Sequence, residues 1–246
     1  MPPRLQPNPA LGIFETMLVV RGVPVALEAH LHRLEVSLRV VYGMELPGDS
    51  RQAVANRAVG LDLGRVRLTF GPDHSEIEAG AVDPALHFPE HPVSLRSHQV
   101  TGGLGRHKWT DRTALPPGTA GVAALLVDGA DVLEADRANV FAIRNGTVFT
   151  PPLDGRILPG VTRATTIALA REQGLDVIER AFDRRWLAEA DEMFLTNSVR
   201  GIEAVNSIDD VGLPDERPLT RQLARALGNE WQNEAAARRR PLRTSV

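Results

Sequence analysis

Lys108 is the single lysine in a 246-residue chain that carries 28 lysines and arginines in all. Most surface positions accept either cation, so a chain that has chosen arginine everywhere else points to a need for an amine at this one. A guanidinium stays protonated in proteins, whereas an ammonium can lose its proton and attack a carbonyl. Lysine is the side chain that forms Schiff bases with carbonyl compounds.

A lysine alone does not make a site. Pyridoxal phosphate asks three further things of a protein: a carboxylate at the pyridine nitrogen, cationic and amide groups around the phosphate, and walls for the ring. Glu134 offers the carboxylate, at the end of a short apolar strand and ahead of Ala135-Asp136-Arg137-Ala138-Asn139-Val140-Phe141. Leu158-Pro159-Gly160-Val161-Thr162-Arg163 offers an anion cup, with a glycine for close backbone approach and the free N–H groups of a starting helix. Arg33 offers a cation, and Thr196-Asn197-Ser198 offers hydroxyl and amide donors. Each also has an ordinary reading: a strand-end glutamate, a helix start, a solvated helix-face arginine, a capped turn.

The elements that must position these residues follow from pattern and turn chemistry. Ile13 to Val20, Arg21-Gly22 and Val23 to Leu27 read as a hairpin. Glu28 to Tyr42 reads as a helix with Leu31, Leu34, Leu38 and Val41 on one face and Gly43 as its stop. A second helix is expected over Ser50 to Val59, and strands over Val66 to Phe70, Glu76 to Ala81 and Val93 to Val100. Thr101-Gly102-Gly103-Leu104-Gly105 reads as a flexible linker. The expected organisation is therefore a domain over 1–100, a linker over 101–106 and a second domain over 107–246. The second is β-rich, with strands at 122–127, 132–134, 140–144 and 147–150 around Asp128-Gly129 and Asn145-Gly146 turns. Helices follow at 161–173, 183–190 and 218–231, with strands at 177–180, 193–196 and 202–205 between them. Arg238-Arg239-Arg240 reads as a solvated terminal run.

Composition narrows the function classes. A net charge of −3 gives no polyanion-binding signature, and aromatics at 4% give no base-stacking surface. Without cysteine there are no disulfides or thiolate metal sites, and no metal site is expected. The opening residues lack the apolar core of a signal peptide, and no apolar run has the length of a membrane span. The expected setting is the cytoplasm, without nucleic-acid or membrane partners.

Order and composition together carry a resemblance. The stretches FETMLVVRGVPVALEAHLHRLEVSLR, HKWTDR, EADRANVFAIRNGTVFTPPLDGRILPGVTR and ADEMFLTNSVRGIEAV resemble the class IV aminotransferases. These fold-type IV pyridoxal-phosphate enzymes include branched-chain and D-amino-acid aminotransferases and 4-amino-4-deoxychorismate lyases. The likeness runs from about Gly12 to Asp209 and is most specific from Glu134 to Arg163. It implies a two-domain α/β (α+β) fold, with a small α/β N-terminal domain and a larger β-rich pseudo-barrel C-terminal domain. It implies pyridoxal 5'-phosphate between the domains, and a homodimer. By position it implies that Lys108 is the Schiff-base lysine, that Glu134 faces the pyridine nitrogen and that Arg33 binds the phosphate. The amides of Val161 and Thr162, the Thr162 hydroxyl and Ser198 would cradle the same phosphate, and Asn139 belongs to the same cofactor-binding set.

Within the family the chain leans toward the lyases. Branched-chain transaminases usually carry a tyrosine five residues after the lysine, where this chain has Thr113. Ser198-Val199-Arg200-Gly201-Ile202 is also closer to the lyases than to a Gly-Thr-Ala turn. Arg200 would then meet a substrate carboxylate, with a structural salt bridge as the other reading. Arg106, His107 and Arg112 flank the lysine, and Arg106 is taken with Arg200 as substrate-binding. The alternative is a transaminase acting on a D- or branched-chain amino acid. Two departures stand out: the family usually has a strand and turn before Phe-Glu-Thr, where this chain has a short Pro-rich stretch, and Ala204 stands where a proline is usual.

Overall fold

In a computed structural model that describes residues 6–239, the strands form two sheets, and one strand of the smaller sheet packs side chains into the core of the larger. The first part contains β1 (Ile13–Val20), β2 (Val23–Pro24), α1 (Leu27–Tyr42), α2 (Ser50–Ala58), β3 (Leu63–Phe70) and β4 (Ser75–Ala81). Its sheet is antiparallel throughout, in the order β2-β1-β3-β4. Then follow β5 (Val93–Val100), β6 (Val122–Asp128), β7 (Asp131–Ala135), β8 (Asn139–Arg144), β9 (Thr147–Thr150), α3 (Val161–Glu172), β10 (Val177–Glu179), α4 (Arg184–Ala188), β11 (Glu192–Asn197), β12 (Gly201–Ile208), β13 (Val211–Gly212) and α5 (Pro218–Arg239). These nine strands form one curled sheet, a half-barrel, in the order β10-β9-β8-β11-β12-β5-β6-β7 with β13 on β12.

β1 is buried on both faces, and its alternation explains how. Ile13, Met17 and Val19 pack with Leu27, Leu31, Leu34 and Leu38 of α1 in the core of the small sheet. Leu18 and Val20 point the other way, into a cluster with Phe141, Phe194, Leu223, Leu227 and Trp231 of the large sheet and α5. One strand thus belongs to two cores, which fixes one sheet against the other. Glu15 falls on the α1 side, as a carboxylate on a face that is otherwise apolar. Helix α1 ends where expected: Gly43 sits at φ +65, and the Met44 N–H returns to the Leu38 carbonyl.

Three expectations are corrected. β5 lies between β12 and β6, so the passage from small to large sheet precedes Val93 rather than falling at Thr101. The glycine stretch is not a free linker. Gly103 is buried at φ +69, and a Cβ there would lie 2.1 Å from the Arg156 carbonyl oxygen; the Gly105 N–H donates to that same carbonyl. Its glycines serve close packing and left-handed backbone rather than looseness. The last helix runs past Trp231 because Ala235 is still buried and Glu234 pairs with Arg238 one turn on. Arg238 is therefore helical, while Arg240 and the residues after it, like Met1 to Leu5, lie outside the described residues.

The edge of β1 opposite β3 is short of partners, since β2 covers only Val19 and Val20. The segment at Lys108 fills part of the gap. The Phe14 N–H donates to the Lys108 carbonyl at 2.8 Å, the Thr110 N–H donates to the Gly12 carbonyl, and Ile13 bridges Trp109. The lysine is held in place by main-chain pairing to the small sheet.

Candidate active site

Lys108, Arg33 of α1, Glu134 and Asn139 of the large sheet, Val161 and Thr162 of α3 and Ser198 come from segments far apart in the chain, and all of them line one cavity. Trp109, Arg112, Asp136 and Thr196 share its wall.

Lys108 is partly open to the cavity yet surrounded by protein. Burial, with the charges of Arg33 and Arg112 adding and those of Glu15 and Glu134 opposing, lowers its pKa to about 7. Near neutral pH much of it is therefore a free amine. Glu134 behaves inversely: burial raises its carboxyl to about 7, against the Leu158 N–H and the charges of Arg112, Lys108 and Arg33. Its Oε2 accepts from the Leu158 N–H at 3.2 Å, while its Oε1 is buried with no partner. A buried unpartnered carboxylate oxygen is costly in a finished core and fits a group that receives a donor from a ligand.

Arg33 is immobilised. Its Nε and Nη2 donate to the two oxygens of Glu15, both at 2.7 Å, and its Nη1 donates to the Pro159 carbonyl at 2.9 Å. His30 completes the cluster with Nδ1 2.7 Å from Glu15 Oε2. Burial pushes the Glu15 carboxyl up, but the Arg33 charge and the hydrogen bonds from His30 and Arg33 outweigh it and hold it at about 2. Burial keeps His30 below its ordinary range against the pull of Glu15, so the neutral ring carries its proton on Nδ1 and donates it.

The anion cup is the start of α3. No side chain caps that helix at Gly160, so its first N–H groups remain free to meet a ligand. Thr162 and Ser198 bring their hydroxyls 3.4 Å apart over it. Asn139 shapes the approach: its Nδ2 donates to the Leu158 carbonyl, and its Oδ1 lies 2.0 Å from where a Cβ on residue 160 would stand. Gly160 is required by that contact and not by its φ.

The expected substrate residues fare differently. Arg200 lines a second, wider space that opens from the cavity, and its Nη1 is paired with Glu203 at 2.8 Å. Arg106 is exposed, borders neither space and lies beside Gly155, because the turn at Gly103 to Gly105 directs it away. His107 lines the cavity and bonds Ser37; Arg112 lines both spaces. Three residues at the site had not been singled out: Glu15 and His30, which hold Arg33, and Arg67 in the outer space; Thr196, expected among the hydroxyl donors, has a buried Oγ1 with no partner. Glu15 could have been found as the one charge on the inner face of an apolar strand.

The family model for amino-transferase class IV matches residues 118–208. The D-alanine aminotransferase of Bacillus licheniformis is 33% identical over 92% of this chain and 89% of its own length. This chain is a member of the class IV aminotransferase family. The branched-chain-amino-acid aminotransferase of Escherichia coli K12 is 36% identical over 97 residues, which span 39% of this chain and only 31% of that enzyme. The crystal structure of 4-amino-4-deoxychorismate lyase from Pseudomonas aeruginosa is 27% identical, with a TM-score of 0.73 over 89% of this chain and 90% of that one. This chain shares its fold with that lyase structure, and it is an enzyme of the class IV family.

Proposed function

We propose that this enzyme binds pyridoxal 5'-phosphate and acts as a 4-amino-4-deoxychorismate lyase, releasing 4-aminobenzoate and pyruvate. The observation that carries the lyase reading is the absence of a tyrosine from the cavity. The chain has one tyrosine, Tyr42, whose hydroxyl is bonded to the Pro9 carbonyl outside it. Thr113, at the position where branched-chain transaminases usually have theirs, is exposed and bonded to Asp111. Likeness to the lyase structure over nine-tenths of both chains supports the same reading.

The residues present fit the cofactor. Lys108 would hold it, the free Glu134 Oε1 would accept from its ring nitrogen, and Arg33 with the start of α3 would hold its phosphate. Bound there, the cofactor supplies an electron sink for the pair left on the substrate carbon. Lys108, much of it a free amine near pH 7, would remove the proton from the carbon bearing nitrogen. The C–O bond to the enolpyruvyl group then breaks, the ring becomes aromatic, and Lys108 is placed to return a proton to the departing group. Glu134, fixed by the Leu158 N–H, would take the hydrogen bond and the charge of the ring nitrogen with its unpartnered Oε1.

The test is to supply aminodeoxychorismate and measure 4-aminobenzoate and pyruvate, with Lys108→Ala as control. Both products should appear, and the variant should lose the bound-cofactor absorbance and activity by roughly a thousandfold or more. A variant with normal turnover would overturn the role of Lys108. The match to D-alanine aminotransferase over most of both chains favours a second reading, a transaminase. That reading predicts that an amino acid alone converts the cofactor to its amine form, which a strict lyase does not do.

A further inference from the structure

Six residues border both the cavity of Lys108 and the wider space outside it: Lys108, Arg112, Asp136, Arg137, Asn197 and Ser198. They form the neck through which a substrate held at Lys108 extends. Asp136 is the one carboxylate among them, and the one carboxylate among the described residues that line the outer space. Its side chain is half-buried, and its Oδ1 is fully buried with no hydrogen-bond partner. The guanidiniums beside it are committed elsewhere. Arg112 Nη1 donates to the Asp136 main-chain carbonyl at 2.9 Å, and Arg137 Nη2 reaches Glu203 of β12 at 3.4 Å. Among the described residues the Asp136 carboxylate makes no ion pair. Burial raises its pKa, with the charge of Glu203 adding, against the charges of Arg137 and Arg112 and the Arg137 N–H. Arg65 and Arg67 of β3 and Arg200 are the other charged groups of the outer space, and Lys108 is the other proton carrier of the neck. A substrate that brings carboxylates into this space adds like charge, which holds a proton on Asp136 more firmly still.

We propose that Asp136 is a second acid–base group of this enzyme, which protonates the enol oxygen as the C–O bond breaks and takes that proton back when the enol becomes pyruvate. The inference rests on the lyase reading. An enol oxygen leaves poorly unless a proton meets it, and Lys108 works on a different atom, the carbon bearing nitrogen. Lys108 takes the proton from that carbon, and the electrons of the C–H bond enter the ring. The C–O bond breaks with its electron pair going to oxygen, and the Asp136 carboxyl supplies the proton there. This leaves the enol of pyruvate and an Asp136 carboxylate. Lys108 then gives its proton to the methylene carbon of the enol, the enol hydroxyl returns its proton to Asp136, and pyruvate departs. Both groups end as they began, so no further donor is required.

The experiment follows 4-aminobenzoate and pyruvate released from aminodeoxychorismate across a range of pH, by the natural enzyme, Asp136→Asn and Asp136→Glu, all loaded with cofactor. In the natural enzyme kcat should pass through a maximum, because Lys108 must be free of its proton while Asp136 holds one. Asp136→Asn should lose roughly a hundredfold or more in kcat with little change in KM, the range for one acid–base group. Its residual turnover should rise with pH and level off, since only Lys108 then titrates. Asp136→Glu should regain part of the rate together with the falling alkaline limb. Both variants keep the main-chain bond to Arg112, and their bound-cofactor absorbance should match that of the natural enzyme. Independently of turnover, the infrared difference between the natural enzyme and Asp136→Asn should show a protonated carboxyl band that persists above the pH at which a surface aspartate ionises. If the natural enzyme makes both products but Asp136→Asn keeps its rate or the shape of its pH profile, or the band is absent, the role of Asp136 is overturned and the lyase reading stands. A natural enzyme that makes neither product removes both.

Discussion

At the scale of single residues, burial and charge decide what each group can do. Lys108 with a pKa of about 7 differs chemically from a surface lysine. The rate at which it captures added pyridoxal phosphate should rise with pH only until about 7 and then level off. An ordinary lysine, at 10.5, would keep gaining reactivity for three further units. Stopped-flow absorbance between pH 5.5 and 10 separates the two. Glu15 works in the opposite sense. A carboxyl held at about 2 when folded, against 4.5 when unfolded, contributes about 3 kcal/mol above pH 4.5. Because its folded value is depressed, that contribution is lost as pH falls from 4.5 toward 2. Glu15→Gln should therefore lower stability at pH 7, and the difference from the natural protein should shrink as the medium is acidified through that window. Urea titrations at several pH values measure it. The same variant frees Arg33 and should weaken cofactor binding.

At the scale of elements, the site depends on where helices begin and how closely loops approach. α3 supplies its anion cup only because Gly160 leaves room for Asn139. Gly160→Ala should displace Asn139, break its bond to the Leu158 carbonyl and weaken cofactor binding by roughly tenfold or more, the cost of one lost hydrogen bond with local repacking. Because φ at Gly160 is −65, alanine is not strained there by itself. In an Asn139→Ala background the same change should cost little further. A thermodynamic cycle on cofactor affinity checks this, and equal losses in both backgrounds would refute it. The Leu158 segment serves both ends of the cavity, since its N–H bonds Glu134 and its carbonyl bonds Asn139.

At the scale of the whole molecule, the two sheets meet through β1 and through Arg33, whose guanidinium joins Glu15 of the small sheet to Pro159 at the mouth of α3. The cavity lies where these parts converge, which is where pockets with a few converging polar groups are commonly found. No helix among the described residues is long and apolar enough to cross a membrane. We propose that the chain works as a homodimer, in keeping with its family resemblance and with Val36 and Val40 exposed on the outer face of α1. Sedimentation velocity should give one species at twice the 26.8 kDa chain mass. A species at the single-chain mass under assay conditions would sink this proposal.

The sequence by itself determined the elements and the chemical inventory. Leucine spacing along α1, the Asn-Gly and Asp-Gly turns of the large sheet and the Gly43 stop are local signals, and local physics was enough to read them. The lone lysine and the motif from Glu134 to Arg163 were legible because residue type there is dictated by chemistry. What only the tertiary structure decided depends on contacts across the chain. Glu15 reaches Arg33 from another element, the glycine stretch at Gly103 packs against Arg156 instead of linking domains, and Arg106 turns outward while Arg67 turns in. None of these has a local signature. A side chain's partner, and so its pKa and its role, is set by which segments the two shared cores bring together, and that information resides in packing rather than in spacing.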